Sequence, residues 1–117
     1  MELPVFDVPD ALKRVEGDRK LLAELLAIFL QDYPEQLKSI HQALRDGRAP
    51  QVERLAHSLK SAMASVSAKR GAEAARRVEA LARDADLQAA VVALDQLQEE
   101  LTALQQAMHQ FLQTLPT

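Results

Sequence analysis

The stretch LDQLQEELTALQQAMHQFLQTL, residues 94–115, decides the fold class of this chain. Its apolar side chains recur at alternating steps of three and four residues, which is the spacing of one face of an α-helix. They are Leu94, Leu97, Leu101, Leu104, Met108, Phe111 and Leu115. Such a seam fits a helix of a bundle and also fits a coiled coil. We favour the bundle, because the earlier segments carry apolar faces of their own that need a partner.

The rest of the 117-residue chain is also typical of helix, since Ala, Leu, Gln, Glu and Arg dominate and aromatic residues make up only 3%. Glycines, prolines and aspartates divide it into predicted helices. The predicted ranges are about 7–16, 19–45, 49–65, 69–83 and 87–115. Asp7, Asp18 and Asp86 are the expected N-terminal caps, and Gly17 and Gly47 are the expected stops.

The second predicted helix carries a long apolar stripe that continues through a proline. Pro34 removes one backbone hydrogen bond, but the stripe stays in phase across it, so we expect one kinked helix. Its members are Leu21, Leu22, Leu25, Leu26, Phe29, Leu30, Tyr33, Leu37, Ile40 and Leu44. Because the connections are short, neighbouring helices should run antiparallel. The prediction is an all-α fold, an up-and-down antiparallel four-helix bundle with a short extra N-terminal helix, forming one domain over residues 1–117.

Composition excludes several classes of function. The chain has no cysteine, no apolar run near the ~20 residues that cross a bilayer, and no signal-peptide pattern at Met1, so we expect a cytoplasmic protein without membrane contact. A net charge of −3 argues against nucleic-acid binding. Between Arg45 and Arg83, however, nine Lys and Arg stand against four Asp and Glu. This basic half suits a phosphoryl group or an acidic partner, or it only solvates two helices.

His57 is the one residue that suggests chemistry. At about 100° per residue, the apolar side chains of the third helix fall within an arc of roughly 100°, and His57 lies roughly 160° from its centre. Those side chains are Val52, Leu55, Leu59, Ala62, Met63 and Val66. His57 should therefore face water, with Lys60 and Ser61 one turn further on. Small residues such as Ser61 and Ala64 on that face would let another protein approach closely.

A neutral imidazole is a good nucleophile near pH 7, because its unperturbed pKa is about 6.5. It can accept a phosphoryl group, and Lys60 can supply a cation that stabilises the charged oxygens. A metal site is not expected, because His41 and His109 fall on other helices and nothing places a carboxylate beside them and His57.

The segment Ala56-His57-Ser58-Leu59-Lys60 resembles the His-x-Leu-Lys-Gly signature of histidine-containing phosphotransfer (HPt) domains. Residues 6–18, 25–34, 68–70 and 78–79 resemble flanking parts of that family. The resemblance implies a phosphorelay module that is not an enzyme in its own right. His57 would accept a phosphoryl group from the phospho-aspartate of a response-regulator receiver domain and pass it to a second receiver, and Lys60 would contact the phosphoryl oxygens. The chain itself would need no cofactor, because Mg²⁺ is expected on the receiver.

The expected partner surface consists of Arg54, Ser58, Ser61 and Ala64. We expect a monomer, and whether the chain acts alone or within a hybrid sensor kinase stays open.

Three positions depart from the family pattern. Ser61 replaces a glycine, and its hydroxyl would either hinder docking or bind the phosphoryl group. Ser67 replaces a second glycine, so either it is strained at positive φ or the turn is more helical. Gly71 stands where an apolar residue is usual, and it should thin the core.

The two serine departures and the seam near the C-terminus also fit a protein of another class. In that alternative, the chain is a non-catalytic helical adaptor or oligomerisation bundle with an inactive or altered phosphotransfer site. Transfer of label from a receiver would separate the two hypotheses.

Overall fold

The computed structural model describes residues 3–115, which form five α-helices and no strand. In chain order, α1 spans Val8–Arg14, α2 spans Arg19–Arg45, α3 spans Ala49–Ser65, α4 spans Lys69–Arg83 and α5 spans Leu87–Leu112. Helix α3 packs against α2 and α4, and α5 packs against α4 and α2. Because the connections are tight, α2 to α5 form an up-and-down antiparallel bundle, to which α1 is added. The predicted all-α fold is confirmed.

The predicted caps are present at three helix starts. The carboxylates of Asp7, Asp18 and Asp86 accept hydrogen bonds from backbone N–H groups three residues ahead, at 2.9–3.1 Å. Two helix ends come earlier than predicted. Helix α1 ends at Arg14, and the left-handed backbone of Glu16 and Gly17 follows it. Helix α5 ends at Leu112, and residues 113–115 form turns. Helix α2 continues through Pro34 without interruption.

The core lies between α2, α3, α4 and α5, and its largest buried side chains are Leu22, Leu26, Ile40, Leu59, Met63, Leu94, Leu97, Leu101, Leu104 and Met108. Part of the predicted stripe on α2 is wrong. Leu21 and Leu25 are 40% and 39% exposed, because they lie on the flank of the helix and not on its inner face. On α3 the buried arc includes Ala56, whereas Leu55 and Ala62 are only half-buried. Among residues 3–115, no helix is both long and apolar enough to cross a membrane.

Gly71 does not thin the core as expected. A Cβ atom at this position would lie 2.5 Å from the Sδ atom of Met63, whose side chain is fully buried. Met63 therefore packs against the backbone of α4 and fills the volume that a side chain at Gly71 would need. The missing side chain on α4 is compensated by a longer one on α3.

Ser67 has the positive φ that glycine would adopt, so the more helical turn is excluded. Its φ is 61°, and the residue is buried between α3 and α4. The Ser67 hydroxyl donates to Asp10 Oδ2 at 2.6 Å, and its carbonyl accepts from the backbone N–H of Asp7 at 3.0 Å. Lys69 also pairs with Asp7, at 3.1 Å. These hydrogen bonds of Ser67 offset its unfavourable φ and hold α1 against the α3–α4 turn.

We expect Ser67→Ala to lower the melting temperature by about 4–8 °C, which is the usual effect of losing one such hydrogen bond in a domain of this size. Ser67→Gly should lower the melting temperature less, because glycine loses the hydrogen bond but adopts the positive φ without strain.

Hydrogen bonds from Ser67 and Arg14 lower the pKa of Asp10. Their contribution is present above the ordinary pKa of 3.8 and disappears as the pH falls through the lowered pKa. Ser67→Ala should therefore lose less stability on acidification than the unmodified protein, as measured by thermal melts between pH 7 and 3.

The His57 site on helices α3 and α4

His57 lies on the outer face of α3, and 58% of its side chain is exposed. The predicted exposure is confirmed. The position follows from the helix geometry, because the neighbouring Ala56 and Leu59 are both fully buried and direct the intervening positions outward. His57 therefore sits beside the core and is open to a partner.

A buried carboxylate on α4 joins His57 to Lys60. Glu79 Oε2 lies 2.7 Å from His57 Nδ1, and Glu79 Oε1 lies 2.8 Å from Lys60 Nζ. Only 7% of the Glu79 side chain is exposed. The structure thus brings together the two residues predicted from the sequence, and it does so through a third residue that the sequence analysis does not include in the site.

The charge state of Glu79 determines which nitrogen of His57 carries the ring proton. Burial raises the pKa of Glu79. Hydrogen bonds from Lys60 and His57, together with their charges, lower it by more than burial raises it, so the net shift of the pKa is downward. At neutral pH the carboxylate is ionised and can only accept hydrogen bonds. Nδ1 of His57 must therefore carry the proton that Glu79 accepts. In the neutral ring Nε2 is left with a free lone pair, directed away from Glu79.

Glu79 has a recognisable signal in the sequence. Ala75, Val78 and Ala82 are buried on α4, and Glu79 stands between them at helical spacing on the same face. An acid within an apolar face is costly unless it is paired, so its position points to a cationic or N–H partner on the adjacent helix. Identifying that partner required the register of α3 against α4, which the sequence alone does not provide.

Arg83 and Glu53 extend the network on the side of His57 opposite Lys60. Arg83 Nη2 lies 3.5 Å from Glu79 Oε2, and Arg83 Nε donates to Glu53 Oε2 at 2.8 Å. Glu53 precedes His57 by one turn of α3, just as Lys60 follows it by about one turn. The imidazole is therefore flanked by a cation on each side, and both cations contact the same carboxylate.

The other predicted partner residues lie on the exposed face of α3. Arg54, Ser58, Ser61 and Ala64 are all exposed. The Ser61 hydroxyl has no hydrogen-bond partner within residues 3–115, whereas its carbonyl accepts from Ser65 Oγ at 2.9 Å. A shallow hollow between α3 and α4 begins beside Lys60, with Ser61, Ala64 and Ala72 in its lining.

The remaining histidines lie elsewhere. His41 is on α2 and His109 is on α5, and the described part of the chain contains no group of three or more His, Cys, Asp and Glu side chains that could hold a metal ion.

Comparisons with known proteins agree with this geometry. The family model for the Hpt domain matches residues 24–107, which include α3, α4 and most of α2 and α5. The structure is similar to the crystal structure of histidine-containing phosphotransfer protein B (HptB) from Pseudomonas aeruginosa PAO1, with a TM-score of 0.89 and 27% sequence identity over 98% of this chain and 100% of that one. No curated protein matches the chain. The exposed histidine, the family match and this structural similarity lead to one conclusion: the chain belongs to the Hpt domain family and has a phosphotransfer role in two-component signalling.

Proposed function

We propose that His57 Nε2 accepts a phosphoryl group from the phospho-aspartate of one receiver domain and passes it to an aspartate of another. The lone pair of Nε2 attacks phosphorus, the P–O bond to the aspartate breaks, and an N–P bond forms while the carboxylate leaves. The ring gains positive charge in this step, which the Glu79 carboxylate stabilises through Nδ1–H. Transfer to the second receiver runs the same step in reverse. The observation that supports this proposal best is the exposed His57 with Nδ1 held at 2.7 Å from an ionised acid.

Lys60 supplies positive charge to the incoming phosphoryl oxygens. Its ammonium has three N–H donors, and Glu79 occupies one of them at 2.8 Å. The other donors can bind the phosphoryl group while the lysine stays anchored. Because the side chain is 28% exposed, it can reach the solvent side of the imidazole. The Mg²⁺ ion is expected on the receiver, and we expect no kinase activity in this domain.

We further propose that the receiver docks across the exposed face of α3 and the adjoining flank of α2. Leu21, Leu25 and Ile28 are exposed at helical spacing along that flank. The opposite flank of α2, with Leu37 and His41, lines a groove with α5. The exposed apolar flank must therefore lie toward α3, where it adjoins Arg54, Ser58, Ser61 and Ala64. A contiguous apolar and small-residue surface is typical of a protein interface.

We expect Ile28→Asp to reduce the rate of transfer from a receiver by about tenfold at limiting receiver concentration, because a charge replaces an apolar contact at the interface. The matched control is Val92→Asp, since Val92 is 60% exposed on α5, which is diagonal to α3 in the bundle. The measurement is the transfer rate as a function of receiver concentration. Equal rates for the two variants would exclude the α2 flank from the docking surface.

The apolar seam of α5 supports a monomer. Leu94, Leu97, Leu101 and Leu104 are each at most 1% exposed, because they pack within the bundle. In a coiled coil, these side chains would instead pack against a second copy of the chain. An oligomerisation bundle that uses this seam therefore has less support than a relay module.

The proposed function is tested by incubating the protein with phosphorylated receivers from the source organism and following the label. Transfer from at least one receiver, and on to a second, is the expected result. Failure with every receiver would leave the adaptor as the better interpretation.

A further inference from the structure

Arg83 is a cation with no role in the phosphoryl transfer proposed above, although it lies close to the reactive ring. Its Nη2 atom is 3.5 Å from the same Glu79 oxygen that His57 Nδ1 contacts at 2.7 Å. In the resting protein, its Nε atom is held at 2.8 Å by Glu53, one turn before His57. One carboxylate oxygen thus separates the guanidinium from the imidazole.

We propose that Arg83 is a second phosphoryl-binding residue, which Glu53 holds aside until His57 is phosphorylated. This inference rests on the proposed function and adds a resting and an engaged position of one side chain. In the engaged position, Arg83 leaves Glu53 and donates to the phosphoryl oxygens on Nε2 from the side opposite Lys60.

The charges at the site support this change of partner. A phosphoryl group on Nε2 brings nearly two negative charges close to the carboxyl groups of Glu79 and Glu53. Lys60 is one cation, and it is shared with Glu79. A second cation is needed to balance the phosphorylated site, and Arg83 can supply it because it lies 3.5 Å from the Glu79 oxygen that the imidazole contacts. A guanidinium can also bind two phosphoryl oxygens at once.

The Arg83–Glu53 pair can open at little cost. The side chains of Arg83 and Glu53 are 60% and 34% exposed, and exposed ion pairs of this kind are weak because water screens them. The Arg83–Glu79 separation of 3.5 Å is longer than the Arg83–Glu53 contact, so Glu53 is the main resting partner. Glu53 and the phosphoryl group would then compete for Arg83.

The test is the equilibrium distribution of phosphoryl label between one receiver and this protein, measured for Arg83→Gln, Glu53→Gln and the double variant. We expect Arg83→Gln to lower the share on His57 by about three- to tenfold, which is the scale of losing one charge-assisted hydrogen bond near the surface. Arg77→Gln is the matched control, because Arg77 is an exposed arginine of the same helix that lines the hollow toward α5. Its equilibrium should be unchanged.

The double variant distinguishes competition for Arg83 between Glu53 and the phosphoryl group from direct repulsion of the phosphoryl group by the Glu53 charge. Glu53→Gln alone should raise the share on His57, because it frees Arg83 and removes a negative charge. If Glu53 acts through Arg83, this gain largely disappears in the Arg83→Gln background. An undiminished gain there, or an equilibrium for Arg83→Gln within experimental error of the Arg77→Gln control, would overturn the inference. Absence of any label on the unmodified protein would instead count against the proposed function.

Discussion

The substitution His57→Gln is expected to abolish phosphoryl transfer to this protein completely. Glutamine has similar polarity and length, but its amide nitrogen has no lone pair available for attack on phosphorus. Because the His57 side chain is exposed and Glu79 anchors its Nδ1, which leaves Nε2 free, we expect no neighbouring group to replace it. The measurement is the time course of label on the protein after mixing with a phosphorylated receiver.

The control for this substitution is a measurement of thermal stability. With 58% of its side chain exposed, His57 contributes little to the core, so the thermal melt of the variant should match that of the unmodified protein within a few degrees. His41→Gln and His109→Gln should leave transfer unchanged. Label that persists in the His57 variant and disappears with one of these would place the phosphorylation site on α2 or α5.

The substitution Glu79→Ala is expected to slow transfer by about 10- to 100-fold, by analogy with the loss seen when the carboxylate that orients a metal-binding histidine is removed. Two effects combine. Without the acceptor at Nδ1, the proton can move to Nε2, and the nucleophilic nitrogen is then blocked in part of the population. Lys60 also loses its anchor, since Glu79 holds its ammonium at 2.8 Å.

The ¹⁵N spectrum of the His57 ring distinguishes this explanation from general damage. The unmodified protein should show a protonated Nδ1 and an unprotonated Nε2 when the ring is neutral, and Glu79→Ala should show a mixture. Glu79→Gln keeps an acceptor oxygen for Nδ1–H, so it should retain more activity than Glu79→Ala. If Glu79→Ala transferred at the unmodified rate with an unchanged ring spectrum, the orienting role of Glu79 would be wrong.

Sequence reasoning succeeded wherever a local pattern carried the information. The three aspartate caps, the bounds of α2, α3 and α4, and the exposure of His57 follow from helix periodicity and end signals within one segment. It failed at positions where a second helix decides the outcome. Periodicity places Leu21 and Leu25 in the stripe, yet they lie on a flank of α2 that no other helix covers. Gly71 was expected to thin the core, yet Met63 from α3 fills the space.

Ser67 shows the same division. The sequence posed two alternatives, strain or a more helical turn, and the structure gives the first, with φ at 61°. What relieves it is Asp10, which is distant in the chain and reaches the Ser67 hydroxyl at 2.6 Å. No pattern of local spacing connects these two residues, because α1 is placed by tertiary packing.

The sequence by itself determined that this is a helical bundle with an exposed histidine and a lysine one turn away. Both depend on the period of a single helix, which is fixed by backbone hydrogen bonding. Only the tertiary structure decided that Glu79 joins the two residues and that Arg83 stands on the other side of the ring. Those contacts depend on the register of α3 against α4, which is set by how side chains such as Met63 pack against the backbone at Gly71.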